Sequence, residues 1–244
     1  IKNGSTTCPT SYFDAIRADF DAFQDPLVYT PGDNEWTDCW QHPGFDPTER
    51  LRFLRPVFFS TPRSLGRRTM PLERQGNGYP ENARWDMGGV TFATLHVVGS
   101  NNHLPDSTCP GDRAEYAART AADLAWLRST FQQASARHNA GVMLFIQADP
   151  LFELPAGKRY GYDEFLRVLT DETVRFRRPV VLVHGDRHTY RLDQPMTAGS
   201  PPRPVRNFTR VETHGPKDLK WVRATVDAAR PGVFAFRPET PGGD

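Results

Sequence analysis

Apolar strand-like runs that alternate with helix-like segments constrain the fold of this sequence most strongly. Residues 112–138 contain no proline or glycine, and their apolar side chains recur at the three-and-four spacing of an amphipathic helix. The run at 142–146 is almost purely apolar, as is typical of a strand covered on both faces. A second helix and strand pair follows at 163–176 and 180–183. This alternation predicts an α/β fold with parallel strands.

The rest of the chain predicts shorter elements around this centre. They are helices at 9–23 and 46–59, a strand at Leu27–Tyr29, a hairpin at 83–98 that turns at Gly88 and Gly89, and strands at 208–213, 221–226 and 233–236. Residues 61–82 are rich in proline, glycine and arginine without any period, which predicts an ordered excursion whose arginines hint at an anion. We expect a single domain over residues 1–244, closed by a β-meander at 205–238.

Composition limits the partners of this chain. Hydrophobic residues make up 38% of its 244 residues, enough for a core. Its net charge of +1 does not indicate a broad electrostatic surface for nucleic acid or an acidic membrane. No apolar run approaches the roughly 18 residues of a membrane span. Without a G-x-S-x-G elbow, a serine hydrolase of the α/β class is not indicated either. No feature specifies an oligomeric state.

The three cysteines bear on the cellular compartment. Cys8, Cys39 and Cys109 match no zinc-ligand spacing. Cys8 and Cys39 flank a polar loop from both sides, so they either form a disulfide or remain buried thiols like Cys109. A disulfide would suit an oxidising compartment. The sequence therefore favours an extracytoplasmic protein, periplasmic or secreted, with a cytoplasmic location as the alternative.

Polar residues follow three of the predicted strands. Asp33, Asn34 and Glu35 follow the first, Gln147 follows the run at 142–146, and residues 184–188 (His-Gly-Asp-Arg-His) follow the run at 180–183. Ligands bind at the carboxyl ends of parallel strands in open α/β sheets, so we expect these side chains to converge. Taken singly, each loop also fits an ordinary turn whose polar side chains bond its own backbone.

The segments Tyr29–Trp36 and Val181–His188, with the helix around Trp126, resemble the calcineurin-like metallophosphoesterases. That family's ordered motifs are D-x-H, G-D, G-N-H-[D/E], a lone His and G-H-x-H, which hold two metals around a bridging hydroxide. The resemblance implies an α/β sandwich of two β-sheets flanked by helices. It also implies a hydrolase that cleaves a phosphate mono- or diester by a metal-activated hydroxide, with a phosphorylated small molecule or another phosphoester as substrate.

Residue by residue, the resemblance implies a set of metal ligands. Asp33 matches the ligand Asn, Asn34 the catalytic His, and Gln147 the lone His. A shift of one residue makes Asn34 the ligand instead. Asp186 and His188 match the two His of the last motif, at the second and the first metal respectively.

Departures from the family pattern change the expected chemistry. Oxygen donors at Asp33, Gln147 and Asp186 favour Mn²⁺, Mg²⁺, Ca²⁺ or iron over zinc at the second site. Asn34 cannot protonate a leaving group, so the acid must come from elsewhere, with His184 and His103 as candidates. The resemblance places Arg187 beside the ligands, where it could bind a phosphate oxygen.

The front of the family pattern has no counterpart in this sequence. No D-x-H precedes Gly32, and the G-D motif would fall just ahead of Ile1. We therefore expect an N-terminally incomplete phosphoesterase sandwich, in which His188 is the only ligand of the first metal and activity is impaired. The alternative function is a non-catalytic binding or interaction module on a degenerate phosphoesterase fold.

Overall fold

The structure is a computed structural model that describes residues 1–215 and 217–242. Its helices are α1 (Thr10–Ala22), α2 (Pro47–Phe58), the short turn α3 (Gly99–Asn102), α4 (Arg113–Ala136) and α5 (Asp163–Phe176), with 3₁₀ turns at Asp33–Glu35, Thr37–Gln41 and Tyr160–Tyr162. Its strands are β1 (Glu73–Arg74), β2 (Ala83–Met87), β3 (Val90–Thr94), β4 (Gly141–Phe145), β5 (Val180–His184), β6 (Arg191–Asp193), β7 (Thr197–Ala198), β8 (Arg203–Pro204), β9 (Phe208–Glu212), β10 (Trp221–Val226) and β11 (Phe234–Glu239). The central helices and strands predicted from the sequence are confirmed, with ends shifted by a residue or two.

Seven strands form one mixed sheet in the order β1-β2-β3-β4-β5-β9-β6. Strands β3, β4, β5 and β9 are parallel, and the strands at both edges are antiparallel to their neighbours. The predicted hairpin joins β2 to β3. Its turn residues Gly88 and Gly89 have φ values of 59° and 75°, which glycine adopts without steric cost. The chain thus has a mixed α/β fold with a sheet flanked by helices.

Alternate residues of the parallel strands enter two different cores. Val142 and Leu144 of β4 join the core beneath α4 and α5, whereas Met143 between them faces the other side of the sheet. The hairpin of β10 and β11 covers that second side, with Val226 and Phe236 in contact with it. Because β4 and β5 are buried on both faces, their sequences are almost continuously apolar.

The strand predicted at Leu27–Tyr29 is wrong. The amide and carbonyl groups of Leu27 bond to Leu65 at 3.0 and 2.9 Å, which forms an isolated antiparallel bridge. Pro26 and Pro31 enclose this short segment and cannot donate a backbone hydrogen bond, so it does not extend into a strand. Asp33 therefore follows an extended loop instead of a strand end.

The single closing meander expected at residues 205–238 is not observed. Strand β9 lies inside the main sheet between β5 and β6, and within the described ranges β10 and β11 pair with each other. Phe208 and Val211 of β9 are completely buried in the cores on opposite faces of the sheet. An apolar side chain on each face suits an interior strand better than a peripheral one.

The arginine-rich excursion at residues 61–82 is held together by its own arginines. The Arg74 guanidinium donates to the carbonyl oxygens of Thr61, Arg63 and Pro80 at 2.6 to 3.0 Å. Arg63 bonds to the hydroxyl and carbonyl oxygens of Thr69. These two guanidinium groups already bond to oxygen atoms within the loop, so they satisfy backbone groups there. They do not support the anion-binding site that the arginines of this segment suggested.

A disulfide between Cys8 and Cys39 ties the N-terminal segment to the turn at Thr37–Gln41. Both half-cystines are fully buried in a separate core formed by α1, α2 and the adjoining loops. Of the two possibilities left open by the sequence, Cys8 and Cys39 therefore form the disulfide. Cys109 is a free, buried thiol. No helix in the described part of the chain combines the length and apolar character of a membrane span.

Replacing both Cys8 and Cys39 by serine is expected to lower the free energy of unfolding by about 3 kcal/mol, because the crosslink joins residues 31 apart and restricts the unfolded chain. Urea unfolding followed by tryptophan fluorescence measures this loss. Cys109→Ala, which removes the free thiol, serves as the control. A loss below about 1 kcal/mol for the double variant would show that the bond adds little to stability.

Candidate active site

The site lies at the carboxyl ends of the parallel strands, where three loops meet. Gly99 follows β3, Gln147 follows β4 and Asp186 follows β5, while Asp33 approaches from the N-terminal region. The Gln147 amide nitrogen lies 3.0 Å from Asp33 Oδ1 and 3.3 Å from Asp186 Oδ1. The convergence predicted for Asp33, Gln147 and Asp186 is therefore observed.

The loop that carries Asp33 is fixed by the buried carboxylate of Glu35. This carboxylate accepts hydrogen bonds from the backbone amides of Gly32 at 2.6 Å and Lys2 at 3.1 Å, and it pairs with the amino group of Ile1 at 3.2 Å. Gly32 has no room for a side chain, because a Cβ there would lie 2.8 Å from Gln147 Cγ. Glu35 thus orders the loop and holds Asp33 close to Gln147.

Gln147 connects the converging loops through both ends of its amide. Its oxygen accepts from the backbone N–H groups of Gly99 at 2.7 Å and Asp33 at 3.3 Å. Its nitrogen then faces the carboxylates of Asp33 and Asp186. A flipped amide would direct N–H groups at two backbone donors, so the hydrogen bonds fix this orientation. In this arrangement Gln147 offers N–H groups, instead of an oxygen ligand, to the space between the two acids.

The buried carboxylate of Asp33 and the half-buried carboxylate of Asp186 form a close pair. Asp33 Oδ2 and Asp186 Oδ1 lie 2.1 and 3.0 Å from the position that a Cβ on Gly99 would take, so only glycine fits there. Burial raises the pKa of Asp33 to about 7, and the negative charges of Asp186 and Asp38 add to this effect. Burial also raises the pKa of Asp186, with a further contribution from Asp149. The pair would be stabilised by a positive charge.

Asp149 and Arg187 extend this acidic pair towards the solvent. The Arg187 Nε lies 2.6 Å from Asp149 Oδ2, and the arginine side chain is 55% exposed whereas the aspartate is buried. The backbone amide of Asp149 donates to Asp186 Oδ2 at 3.3 Å. Arg187 therefore stands beside the acids, as the resemblance implies, and more than half of its side chain is exposed.

His188 and Asn34 differ in how close they come to the acids. His188 is exposed, has a φ of 63°, and packs so closely on Gly215 that a Cβ there would lie 2.3 Å from His188 Cβ. It lies near enough to Asp186 for a positive charge on its ring to lower the pKa of that carboxyl. The Asn34 side-chain oxygen instead lies beside Gly4, and its backbone N–H bonds to Asp33 Oδ1. Asn34 thus contributes to this site through its backbone.

His184 is buried below the loop that carries Asp186. Its Nδ1 lies 3.2 Å from the Gly185 carbonyl oxygen, and its Nε2 has no hydrogen-bond partner among the described residues. Burial lowers the pKa of His184 to about 4. The ring is therefore uncharged at neutral pH, which does not suit a proton donor to a leaving group. His103, the other candidate acid, bonds through Nδ1 to Glu115 in the interior.

The turn α3 brings Gly99 to the acids through an unusual backbone. Ser100, Asn101, Asn102 and His103 have φ values between 49° and 62°, a left-handed run that costs about 1 to 3 kcal/mol at each residue other than glycine. Asparagine tolerates this conformation better than most residues, so the pair Asn101 and Asn102 is a sequence signal for a left-handed turn. The position of the Gly99 amide depends on this turn and could not be predicted from the strand pattern alone.

Arg119 of α4 holds the left-handed turn from below. Its completely buried guanidinium donates to the Asn102 carbonyl at 2.8 Å, to Asn102 Oδ1 at 2.7 Å and to the His96 carbonyl at 2.7 Å. It also pairs with Glu115 at 2.7 Å and lies over the Trp36 ring at 5.3 Å. A buried charge network therefore supports the site, although sequence periodicity gave Arg119 no role.

Asp33 and Asp186 fit a divalent cation better than the other predicted ligands do. Two neighbouring carboxylates from different loops supply the hard oxygen atoms that Mn²⁺ and Mg²⁺ bind. Gln147 does not fit as a ligand while its oxygen bonds two backbone amides. Over residues 1–215 and 217–242, no group of three or more His, Cys, Asp or Glu side chains is arranged to hold a metal ion. Any cation here would therefore have few ligands from these residues.

Comparisons with protein-family models, with curated proteins and with solved structures found no match to this chain.

Proposed function

We propose that this chain carries the active site of a metal-dependent phosphoesterase, which hydrolyses a phosphate mono- or diester. The paired carboxylates of Asp33 and Asp186 are the observation that carries this proposal. Two acids at a sheet edge, beside glycine backbones with no room for a side chain, form a rigid acidic site. The Cys8–Cys39 disulfide supports an extracytoplasmic location as part of the proposal.

Asp33, from the N-terminal region, and Asp186, from the loop after β5, would hold the divalent cation. When bound, the cation would neutralise charge on the phosphoryl group and lower the pKa of water, which becomes the nucleophile. Arg187 would donate to phosphate oxygens from its terminal nitrogens while Asp149 holds its Nε in place. Gly99 lets both acids approach its backbone, because a Cβ there would clash with Asp33 Oδ2 and Asp186 Oδ1.

Substrate esters with good leaving groups fit this site best. Asn34 has no titratable proton, and His184 is uncharged at neutral pH because burial lowers its pKa to about 4. Without a donor in place, a leaving group of low pKa departs as an anion without protonation. Aryl esters and phosphoanhydrides have such leaving groups, whereas alkyl esters do not.

An activity assay tests the proposal directly. We expect 4-nitrophenyl phosphate or bis(4-nitrophenyl) phosphate to be cleaved in the presence of Mn²⁺, and EDTA to abolish turnover. Calorimetric Mn²⁺ titration of the same protein is performed in parallel. If the protein neither binds Mn²⁺ nor cleaves either ester, the phosphoesterase proposal is wrong.

A non-catalytic binding module is the second candidate function. The observation that favours it is the Gln147 amide nitrogen, which already supplies N–H groups to both carboxylates. An acid pair that already accepts hydrogen bonds from its own protein has less need of a cation. A folded protein that neither binds Mn²⁺ nor cleaves either ester would favour this candidate.

A further inference from the structure

A cavity of about 530 Å³ lies between the main sheet and the hairpin of β10 and β11. Trp85, Phe92 and Phe145 line it from β2, β3 and β4, and Val222 and Val226 line it from β10. Trp85, Phe145 and both valines are only half-buried, although they pack against the core on this side of the sheet. Because protein interiors are normally close-packed, a space of this size is large enough for a small ligand.

The sheet side of this cavity is aromatic. The ring planes of Trp85 and Phe92 differ by 7° with centroids 5.3 Å apart, and those of Trp85 and Phe145 differ by 14° with centroids 6.2 Å apart. Nearly parallel rings on three adjacent strands form one aromatic surface, against which another ring can pack with its face or its edge. The cavity therefore suits a planar aromatic ligand.

His214, which follows β9, supplies a buried polar atom at this cavity. Its side chain lines the cavity and is 9% exposed, and its Nε2 has no hydrogen-bond partner among the described residues. The Tyr190 ring stacks on the imidazole at 4.7 Å, and Asp218 Oδ2 lies 3.5 Å from Nδ1. These contacts account for one ring face and one nitrogen, so Nε2 is the nitrogen left for a ligand. A buried polar atom without a partner is costly, and a ligand that bonds to it removes that cost.

The Asp218 carboxylate bears on the kind of hydrogen bond that Nε2 can make. A carboxylate near Nδ1 favours a proton on Nδ1, which leaves a lone pair on Nε2. The ligand group that meets Nε2 must then donate a hydrogen bond. A phenolic hydroxyl donates such a bond and is carried on a planar ring.

We propose that this cavity binds a small phenol, whose ring packs against Trp85, Phe92 and Phe145 while its hydroxyl donates to His214 Nε2. Neither Asp33 nor Asp186 lines the cavity. The inference therefore goes beyond the proposed function, and it depends on neither a metal nor ester cleavage.

The test uses 2-naphthol, a phenol with two fused rings, and follows the fluorescence anisotropy of the naphthalene ring as the protein is titrated into it at neutral pH. We expect a Kd of about 100 µM or lower for a ligand of this size. 2-Methoxynaphthalene has the same rings but no donor, so it should bind about 10-fold more weakly. Lys220 also lines the cavity, and 2-naphthoate tests whether its charge selects the ligand. If 2-naphthoate binds at least as tightly as 2-naphthol, the cavity takes an anion and the proposal is overturned.

A substitution at His214 tests the hydrogen bond itself. His214→Phe keeps a flat ring that can stack on Tyr190 but removes Nε2. We expect it to weaken 2-naphthol binding about 10-fold and to change the affinity for 2-methoxynaphthalene by less than about 2-fold. Equal losses for both ligands, or equal affinities of the unsubstituted protein for both, would show that no hydroxyl bonds to His214, which overturns the proposal.

Two substitutions on β10 locate the bound ligand. Ala224 and Thr225 are both exposed, but Ala224 lines the cavity whereas Thr225 does not, since neighbouring residues of a strand face opposite sides. Ala224→Phe should fill part of the cavity and reduce 2-naphthol affinity at least about 10-fold, and Thr225→Phe should retain it. Binding that survives Ala224→Phe would place the ligand elsewhere and overturn the proposal, as would the absence of 2-naphthol binding to the unsubstituted protein.

Discussion

Asp186→Asn is expected to reduce Mn²⁺-dependent ester hydrolysis by at least about 100-fold, because it removes one of the two charges that would hold the cation. Asparagine keeps the shape of the side chain and tolerates the φ of 77° at this position. The backbone of the loop after β5 should therefore be preserved. Steady-state turnover of the aryl esters by the variant and the unsubstituted protein gives the size of the loss.

Unfolding in EDTA distinguishes loss of a ligand from loss of structure in Asp186→Asn. The Asp33 and Asp186 carboxylates oppose each other in the metal-free protein, and burial together with this repulsion raises the pKa of Asp33. Removal of one charge should leave the metal-free protein at least as stable as before. A variant that loses activity only because it unfolds at a lower temperature would contradict this explanation.

A matched pair of histidine substitutions extends the test to His188. His188 and His138 are both exposed, and both have positive φ values, 63° and 56°, which asparagine accepts. His138 follows α4 and precedes β4, at the opposite end of the sheet from the acids. We expect His188→Asn to impair hydrolysis and His138→Asn to retain it. Equal activity in the two variants would exclude His188 from the site.

The central α/β alternation and the convergence of the loops could be predicted from sequence. Strands β4 and β5 are buried on both faces, so their apolar runs identify them without reference to the rest of the chain. Because parallel strands all place their carboxyl ends at one edge, Gln147 and Asp186 had to approach each other. These two features depend on local pattern and on a general rule of topology.

The orientation of the Gln147 amide and the pairing of distant segments could not be predicted from the same patterns. The direction of the Gln147 amide depends on the backbone N–H of Gly99, which lies there because of the left-handed turn. Strand β9 was misplaced because its sequence does not specify whether it pairs with β5 or with later strands. Each of these features depends on partners that are distant in the sequence, and periodicity carries no information about such partners.

Arg119→Met is expected to lower the free energy of unfolding by about 3 to 5 kcal/mol, the usual cost of removing one partner from a buried ion pair. It would leave the carboxylates of Glu115 and Asp123 without their nearest positive charge, at 2.7 and 3.8 Å in the native protein. It would also release the Asn102 carbonyl and loosen the turn that carries Gly99. Arg113→Met, at an exposed position on the same helix, should change stability by less than about 0.5 kcal/mol.

The pH dependence of this loss identifies its cause. Burial alone would raise the pKa of Glu115, but the charge of Arg119 and the hydrogen bond from His103 hold it at about 2. Because its pKa is lowered, the ionised Glu115 carboxylate stabilises the native protein above about pH 4.5. This contribution is lost as the pH falls towards 2. In Arg119→Met the half-buried Glu115 should instead bind a proton more readily than in the unfolded chain. The difference between the two proteins should therefore be smaller at pH 4 than at pH 8 in urea unfolding, whereas a purely steric defect would be the same at both.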